Sequence, residues 1–261
     1  MMRINGSVIG SNVVPSLVSG ASGIWGLQNV DIANRSRSWP TELVTNGLVL
    51  LLDANNTNSY PGTGTTWFDL SGINNNGTLT NGASYNSASG GSIVFDGVND
   101  YVGSFPTQIS GVGSKTICAF IYPTTTSRAG ICGIRGAGDG TGWVFTINRT
   151  SSGNLTYFHT TGTTVEVSAG ISINNWVQVC VTYSTVTSTV ILYKNGYQVG
   201  STATSVSSIV SSTFNGVIGD EDSTITTPFK GNISNLQIYN RSLSATEILQ
   251  NFQATRTRFG V

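Results

Sequence analysis

Short runs rich in Val, Ile, Thr, Phe and Tyr recur roughly every 8–15 residues from position 46 onward, separated by clusters of Gly, Asn and Ser. That rhythm limits the fold more than any other feature of the chain. Runs such as "SIVFDG", "DYVGSF", "TICAFIYP", "GWVFTIN", "LTYFHT" and "TVILYKNG" are too short for helices and have strand composition. In "WVQVCVTY", Val177, Val179, Val181 and Tyr183 share one face by the two-residue period of a strand. Asn195-Gly196 supplies the positive φ angles of a two-residue type I′ hairpin turn. About a dozen strands joined by tight turns predict an all-β chain folded as a two-sheet antiparallel sandwich.

One helix is expected, near the C-terminus. In "LSATEILQNF", Ser244 as N-cap and Glu247 at N3 form a capping box, and Leu243 and Ile248 form a hydrophobic staple. Leu249 and Phe252 continue its apolar stripe. Residues 256–261 read as a tail carrying Arg256 and Arg258.

Only 9% of the 261 residues are charged and the formal net charge is zero, against roughly 25% charged in an average domain. So weak a field argues against nucleic acid and anionic membranes as partners. It suits packing into an assembly or binding neutral sugars. Cys118, Cys132 and Cys180 have no C-x-x-C spacing, which argues against zinc and against a disulfide framework. Cys118 and Cys180, in apolar runs, read as ordinary buried thiols, with a single disulfide left open. The longest apolar run, "LVLLL", is far below the ~18 residues of a membrane span. The first residues are too interrupted for a signal-peptide core, so a chain of this kind found outside a cell is expected there by another route, of which particle assembly in a host followed by lysis is one.

Residues 1–45 have neither period and are expected to be an extended arm or docking segment, with Trp25, Leu27 and Trp39 as its anchors.

"GLVLLLDANN", "TWFDLSGINNNGTLTNG", "SIVFDGVNDYV", "INNWVQVCVTYS", "VILYKNGYQVGS" and "FKGNISNLQIYNRSLSATEILQNF" appear in that order. Together they resemble the laminin-G-like, concanavalin A-like jelly-roll domain over residues 46–255. That resemblance implies a twisted two-sheet sandwich of the kind found in lectin-like and adhesion modules, glycosidase appendages and virion proteins. The flanks "SGIWGLQNVDIANRSRSWP" and "NFQATRTRFGV" are similar to those of such domains in tailed-phage structural proteins.

Asp96 and Asp100 bracket Gly97-Val98-Asn99, where the expected role is to accept backbone N–H groups in a turn. Calcium is the alternative, with Asp53, Asp96, Asp100, Asp220 and Asp222 as candidate ligands. "GDEDS" is expected to be a solvated loop. No E-x-D-x-E strand is present for glycoside hydrolysis. His159 has no G-x-S-x-G partner and is expected at a strand edge. Trp67, Phe68 and Trp176 read as core; Trp143, after a Gly-rich loop, also reads first as core, with stacking on a glycan as its alternative.

The functional expectation is a non-enzymatic virion structural protein of a tailed phage, a capsid decoration or a tail or fibre component, found in the virion. Its expected partners are capsid or tail proteins, further copies of itself and a host-surface glycan. A free carbohydrate-binding adhesin is the alternative, with a glycoside hydrolase behind it.

Overall fold

The computed structural model describes residues 42–105, 113–135, 142–159, 163–203, 215–222 and 224–261. The arm anchors Trp25, Leu27 and Trp39 lie outside these residues. One compact unit runs from Pro40 to Val261.

Its strands are β1 (Leu48–Asp53), β2 (Thr66–Trp67), β3 (Gly77–Thr80), β4 (Ser84–Asn86), β5 (Ser92–Asp96) and β6 (Tyr101–Phe105). There follow β7 (Lys115–Pro123), β8 (Ala129–Arg135), β9 (Gly142–Ile147), β10 (Asn154–His159) and β11 (Thr163–Ser168). The last are β12 (Val177–Ser184), β13 (Thr189–Lys194), β14 (Tyr197–Ala203), β15 (Gly216–Ile218) and β16 (Lys230–Tyr239), before helix α1 (Ala245–Thr255).

Among the described residues these form two 8-stranded sheets. The first runs β14-β13-β12-β7-β16-β5-β4, with β1 also paired to β16; the second runs β11-β10-β9-β8-β15-β6-β3-β2. The two-sheet antiparallel sandwich with a short C-terminal helix is therefore present as expected. Ile93, Ile121, Leu192 and Ile233 from one sheet meet Ile131, Trp143, Phe145 and Tyr157 from the other in a single core. The β13–β14 hairpin turns at Asn195 (φ 49°) and Gly196 (φ 80°), both left-handed as a type I′ turn requires.

Val177, Val179, Val181 and Tyr183 of β12 face that core. Gln178, Cys180 and Thr182 on the opposite face are buried too. Helix α1 and its flanks cover much of this outer face: Leu243 and Ile248 pack with Cys118, Cys180 and Tyr239. The helix begins in the expected capping box, with Ser244 Oγ accepting the Glu247 N–H and the Glu247 carboxylate accepting the Ser244 N–H.

Two expectations need correction here. Cys118 and Cys180 are disulfide-bonded, because β7 and β12 place them directly opposite each other with Cα atoms 4.1 Å apart. Cys132 remains a free, buried thiol. Residues 256–261 do not trail off. They form a 3-10 turn, Arg256–Arg258, and bring Phe259 down onto Phe120 with ring centroids 4.1 Å apart.

Candidate functional site

Along β7, Cys118, Phe120 and Tyr122 point to the outer face, two residues apart. Helix α1 covers the first, and Phe252 and Phe259 cover the second. Nothing among the described residues roofs the third. There a cleft of about 320 Å³ opens, lined by Asn86, Ser89, Ser92, Tyr122, Trp176 and Asn232.

Strand register explains why residues so far apart in sequence meet. Asn86 on β4 pairs with Ser92 on β5, and Asn232 on β16 pairs with Tyr122 on β7. Trp176 immediately precedes Val177, the partner of Ile121, so its ring stands beside Tyr122 at 5.5 Å between centroids. The result is one oblique row across five adjacent strands, stepping by two residues between Ser92 and Asn232, whose direct partner on β5 is Val94. Asn232 Nδ2 donates to Ser92 Oγ at 2.9 Å, fixing the amide and leaving its carbonyl oxygen for another donor. Asn86 Oδ1 accepts the Ala88 N–H at 2.8 Å, which leaves its NH₂ group available. The row therefore offers donors and acceptors, two aromatic rings and no carboxylate or cation.

The walls are fixed by the C-terminal segment. Phe259 packs at a tilt against Trp176 with centroids 4.8 Å apart. Arg258 Nη1 donates to both oxygens of Asp53 at 2.9 Å, and its Nη2 reaches Ser234 Oγ at 3.2 Å. The rim turn Ala88–Gly90 lies alongside, and Gly91 (φ 111°) follows it. A Cβ at Gly91 would stand 2.5 Å from the Ala54 carbonyl oxygen, so only glycine lets this turn close.

A family model, the concanavalin A-like lectin/glucanases superfamily, matches residues 95–249, more than half of the chain. The chain belongs to that superfamily. Among solved structures it is similar to domain 4 of an extracellular arabinanase from Geobacillus stearothermophilus, in complex with arabinotriose. That match has 17% identity and a TM-score of 0.61, covering 78% of this chain and 97% of the other. It is also similar to the CBM40 module of a Ruminococcus gnavus sialidase bound to α2,3-sialyllactose, at 16% identity and TM-score 0.53, covering 60% and 94%. A heptameric pentraxin from Limulus polyphemus gives 20% identity and TM-score 0.51, covering 60% and 79%. These likenesses establish the shared fold. No curated relative matches the sequence.

In this member of the superfamily the five candidate calcium ligands do not converge. Asp53 is held by Arg258. Asp96 Oδ1 accepts the Val98 N–H at 2.7 Å, and Asp100 Oδ2 accepts the Asp96 N–H at 2.9 Å, as a turn between sheets requires. The Val98 bond leads in lowering the Asp96 carboxyl below its ordinary value, while burial raises that of Asp100. No group of three or more His, Cys, Asp or Glu that could hold a metal ion occurs among the described residues.

The expected solvated loop at 220–222 is instead buried, with Asp220 0% exposed. It lies flat on β8 because Gly130 and Gly133 have no side chains. A Cβ at Gly130 would meet the Asp220 carbonyl carbon at 2.3 Å, and one at Gly133 would meet the Glu221 oxygen at 2.1 Å. Asp220 accepts the N–H groups of Glu221 and Thr227, at 2.6 and 3.1 Å, and Arg128 forms a bidentate ion pair with Glu221. Burial raises the Asp220 carboxyl above its ordinary value.

Trp143 is 0% exposed and faces the core, so it offers no surface to a sugar. The Gly-rich stretch before it suggested exposure, but the strand period turns the ring inward. Lys115 Nζ lies 5.7 Å from its ring centre, and burial lowers the Lys115 ammonium to about 7. His159 ends β10 but is buried rather than edge-exposed; burial, then Lys115, lowers it to about 4. Trp67 is core as expected, whereas Phe68 is 42% exposed. Trp176, also expected in the core, lies at its edge. It packs on one side and lines the cleft on the other.

Proposed function

We propose that this protein is a non-enzymatic glycan-binding module that takes a neutral saccharide in the Trp176 cleft. The row across five strands carries the reading. Aromatic faces suit the apolar C–H face of a sugar ring, and the free amide and hydroxyl groups suit its hydroxyls. Hydrolysis would need two carboxyl groups flanking the bond, and the cleft lining contains none. The arabinotriose and sialyllactose complexes of similarly folded domains are in keeping with this use of the fold.

The module belongs, in this proposal, to a structural protein of a tailed-phage virion, at the capsid surface or on a tail or fibre, where it meets host-surface glycan. Support comes from the two flanking segments that resemble those of phage structural proteins and from the low charge and zero formal net charge, which suit close packing against other copies and shell or tail proteins. Mass spectrometry of purified virions tests the location: the chain should co-purify in stoichiometric amount, and its absence would leave a free adhesin. A neutral-glycan array followed by calorimetry tests the binding. Trp176→Ala should weaken the best ligand at least about tenfold, and Asn232→Ala, which leaves the Phe259 contact alone, should do the same by losing hydrogen bonds. Unchanged affinity in both would remove the cleft from the function.

A further inference from the structure

The outer face of the second sheet holds a feature that the neutral cleft does not use. Leu155 and Tyr157 of β10 face the core, so Phe158 between Tyr157 and His159 faces out. Two arginines converge on its ring. Arg135, from the end of β8, has Cζ 5.6 Å from the ring centre, and Arg149, just after β9, has Cζ 4.9 Å from it. Phe158 pairs with Val144 on β9 and with Thr164 on β11. Arg149 Nη1 reaches Thr164 Oγ1 at 3.4 Å.

Each guanidinium is drawn to the ring face by cation–π attraction, which leaves N–H donors of both for an anion. The ion pairs among the described residues use Arg128, Arg241 and Arg258, and neither Arg135 nor Arg149. Arg135 Nε is buried with no hydrogen-bond partner, an unusual state for a guanidinium donor. The carboxylate that feels Arg149 is Glu166, whose Oε1 is already engaged by the Thr150 N–H and hydroxyl and by Asn154 Nδ2. The chain carries 12 Lys and Arg in 261 residues, so two on one ring depart from the rest of its surface.

We infer that Arg135 and Arg149, held on Phe158, form a second binding site, selective for an acidic saccharide unit bearing a carboxylate. Guanidinium forks match the two oxygens of a carboxylate. Phe158, which is partly exposed, meets the sugar ring, and the Thr164 hydroxyl offers a partner for a ring hydroxyl. The site is on the sheet opposite the Trp176 cleft, so it stands or falls independently of that cleft's neutral ligand.

Glucuronate, with glucose as the uncharged control and inorganic sulfate as the bare-anion control, tests this on the full chain. Glucuronate should shift the amide resonances of Phe158, Arg149 and Thr164, and its affinity should fall several-fold as NaCl rises from about 50 to 300 mM. Arg149→Gln and Arg135→Gln should each weaken glucuronate at least about tenfold while leaving neutral-sugar binding at Trp176 unchanged. Glucose shifting the same resonances at the same concentration would overturn the proposal on the wild-type protein alone, whatever the variants do. Binding of glucuronate that is unaltered in the folded double variant would overturn it too. Sulfate displacing glucuronate at equal concentration would overturn its assignment to a saccharide.

Discussion

Over the outer face of the first sheet lie side chains, Leu249, Phe252 and Phe259, set down on Phe120 next to the Cys118–Cys180 disulfide. Over the second lies backbone, the Asp220–Asp222 segment seated on Gly130 and Gly133. The two coverings obey different physics. Apolar side chains in rotamers can repack around a substitution, so the first cover is graded in its response. Backbone seated in van der Waals contact with a strand has nowhere to move, so the second is close to all-or-none. The first cover also stops short, and the cleft at Tyr122 and Trp176 is what it leaves open. The second brings three carboxylates out of water and depends on Arg128 and backbone N–H groups to satisfy them.

Gly133→Val breaks the comparison most severely. Its Cβ would fall 2.1 Å from the Glu221 carbonyl oxygen, so the loop must lift and expose Glu221 and Asp220 from their partners. A loss above about 4 kcal/mol is expected in urea unfolding, against about 1–2 kcal/mol for Leu249→Ala on the partly buried rim of the first cover. Equal losses in the two variants would mean that the loop is not seated on β8.

The disulfide is next in size. It closes a sequence separation of 62 residues, for which chain-entropy arguments give about 2–4 kcal/mol. Changing both cysteines to alanine should lower stability by that amount and lower hydrogen-exchange protection in β7, β12 and α1 before it touches β8 or β9. Protection lost equally in both sheets would show that the two covers do not respond separately.

The difference between the covers also governs what the sequence reveals. The first is written locally: Leu243, Ser244, Glu247 and Ile248 sit within six residues of each other, and capping and staple chemistry reads from their spacing. The disulfide is less legible, since nothing local says that β7 and β12 are neighbours in the register that faces Cys118 to Cys180. The second cover leaves no local trace. "GDEDS" looks like solvated loop because its stabilising partners, Arg128 and the two glycines of β8, lie about ninety residues earlier and act by proximity in the fold. The cleft is hidden for the same reason. Asn86, Ser92, Tyr122, Trp176 and Asn232 come from separate segments, and only strand order and register align them. Trp143 and Trp176 are hard to tell apart in the sequence because each lies within one residue of a strand's start, and its inward or outward face depends on a single residue of register.

Acid sharpens the comparison with the smallest effect. In the first cover, hydrogen bonds from Arg241 lead in lowering the Glu247 carboxyl from 4.5 to about 2. A carboxyl lowered in the folded state contributes stability that is present above its unfolded value and lost as pH falls from about 4.5 toward 2. In the second, burial raises Asp220 above 3.8. The folded state then takes up a proton before the unfolded one does, so its penalty is relieved as pH falls through the raised value toward 3.8. Near pH 3, therefore, the start of α1 should loosen, while the cost of burying Asp220 is already relieved. Glu247 is 29% exposed, and solvent screening holds the change at α1 to about 1 kcal/mol. Hydrogen exchange at pH 6 and pH 3, corrected for intrinsic rates, measures both. Protection should drop at Glu247 and Ile248 and hold or rise at Thr227. A parallel drop at all three would mean that the carboxylates of the two covers sit in equivalent surroundings.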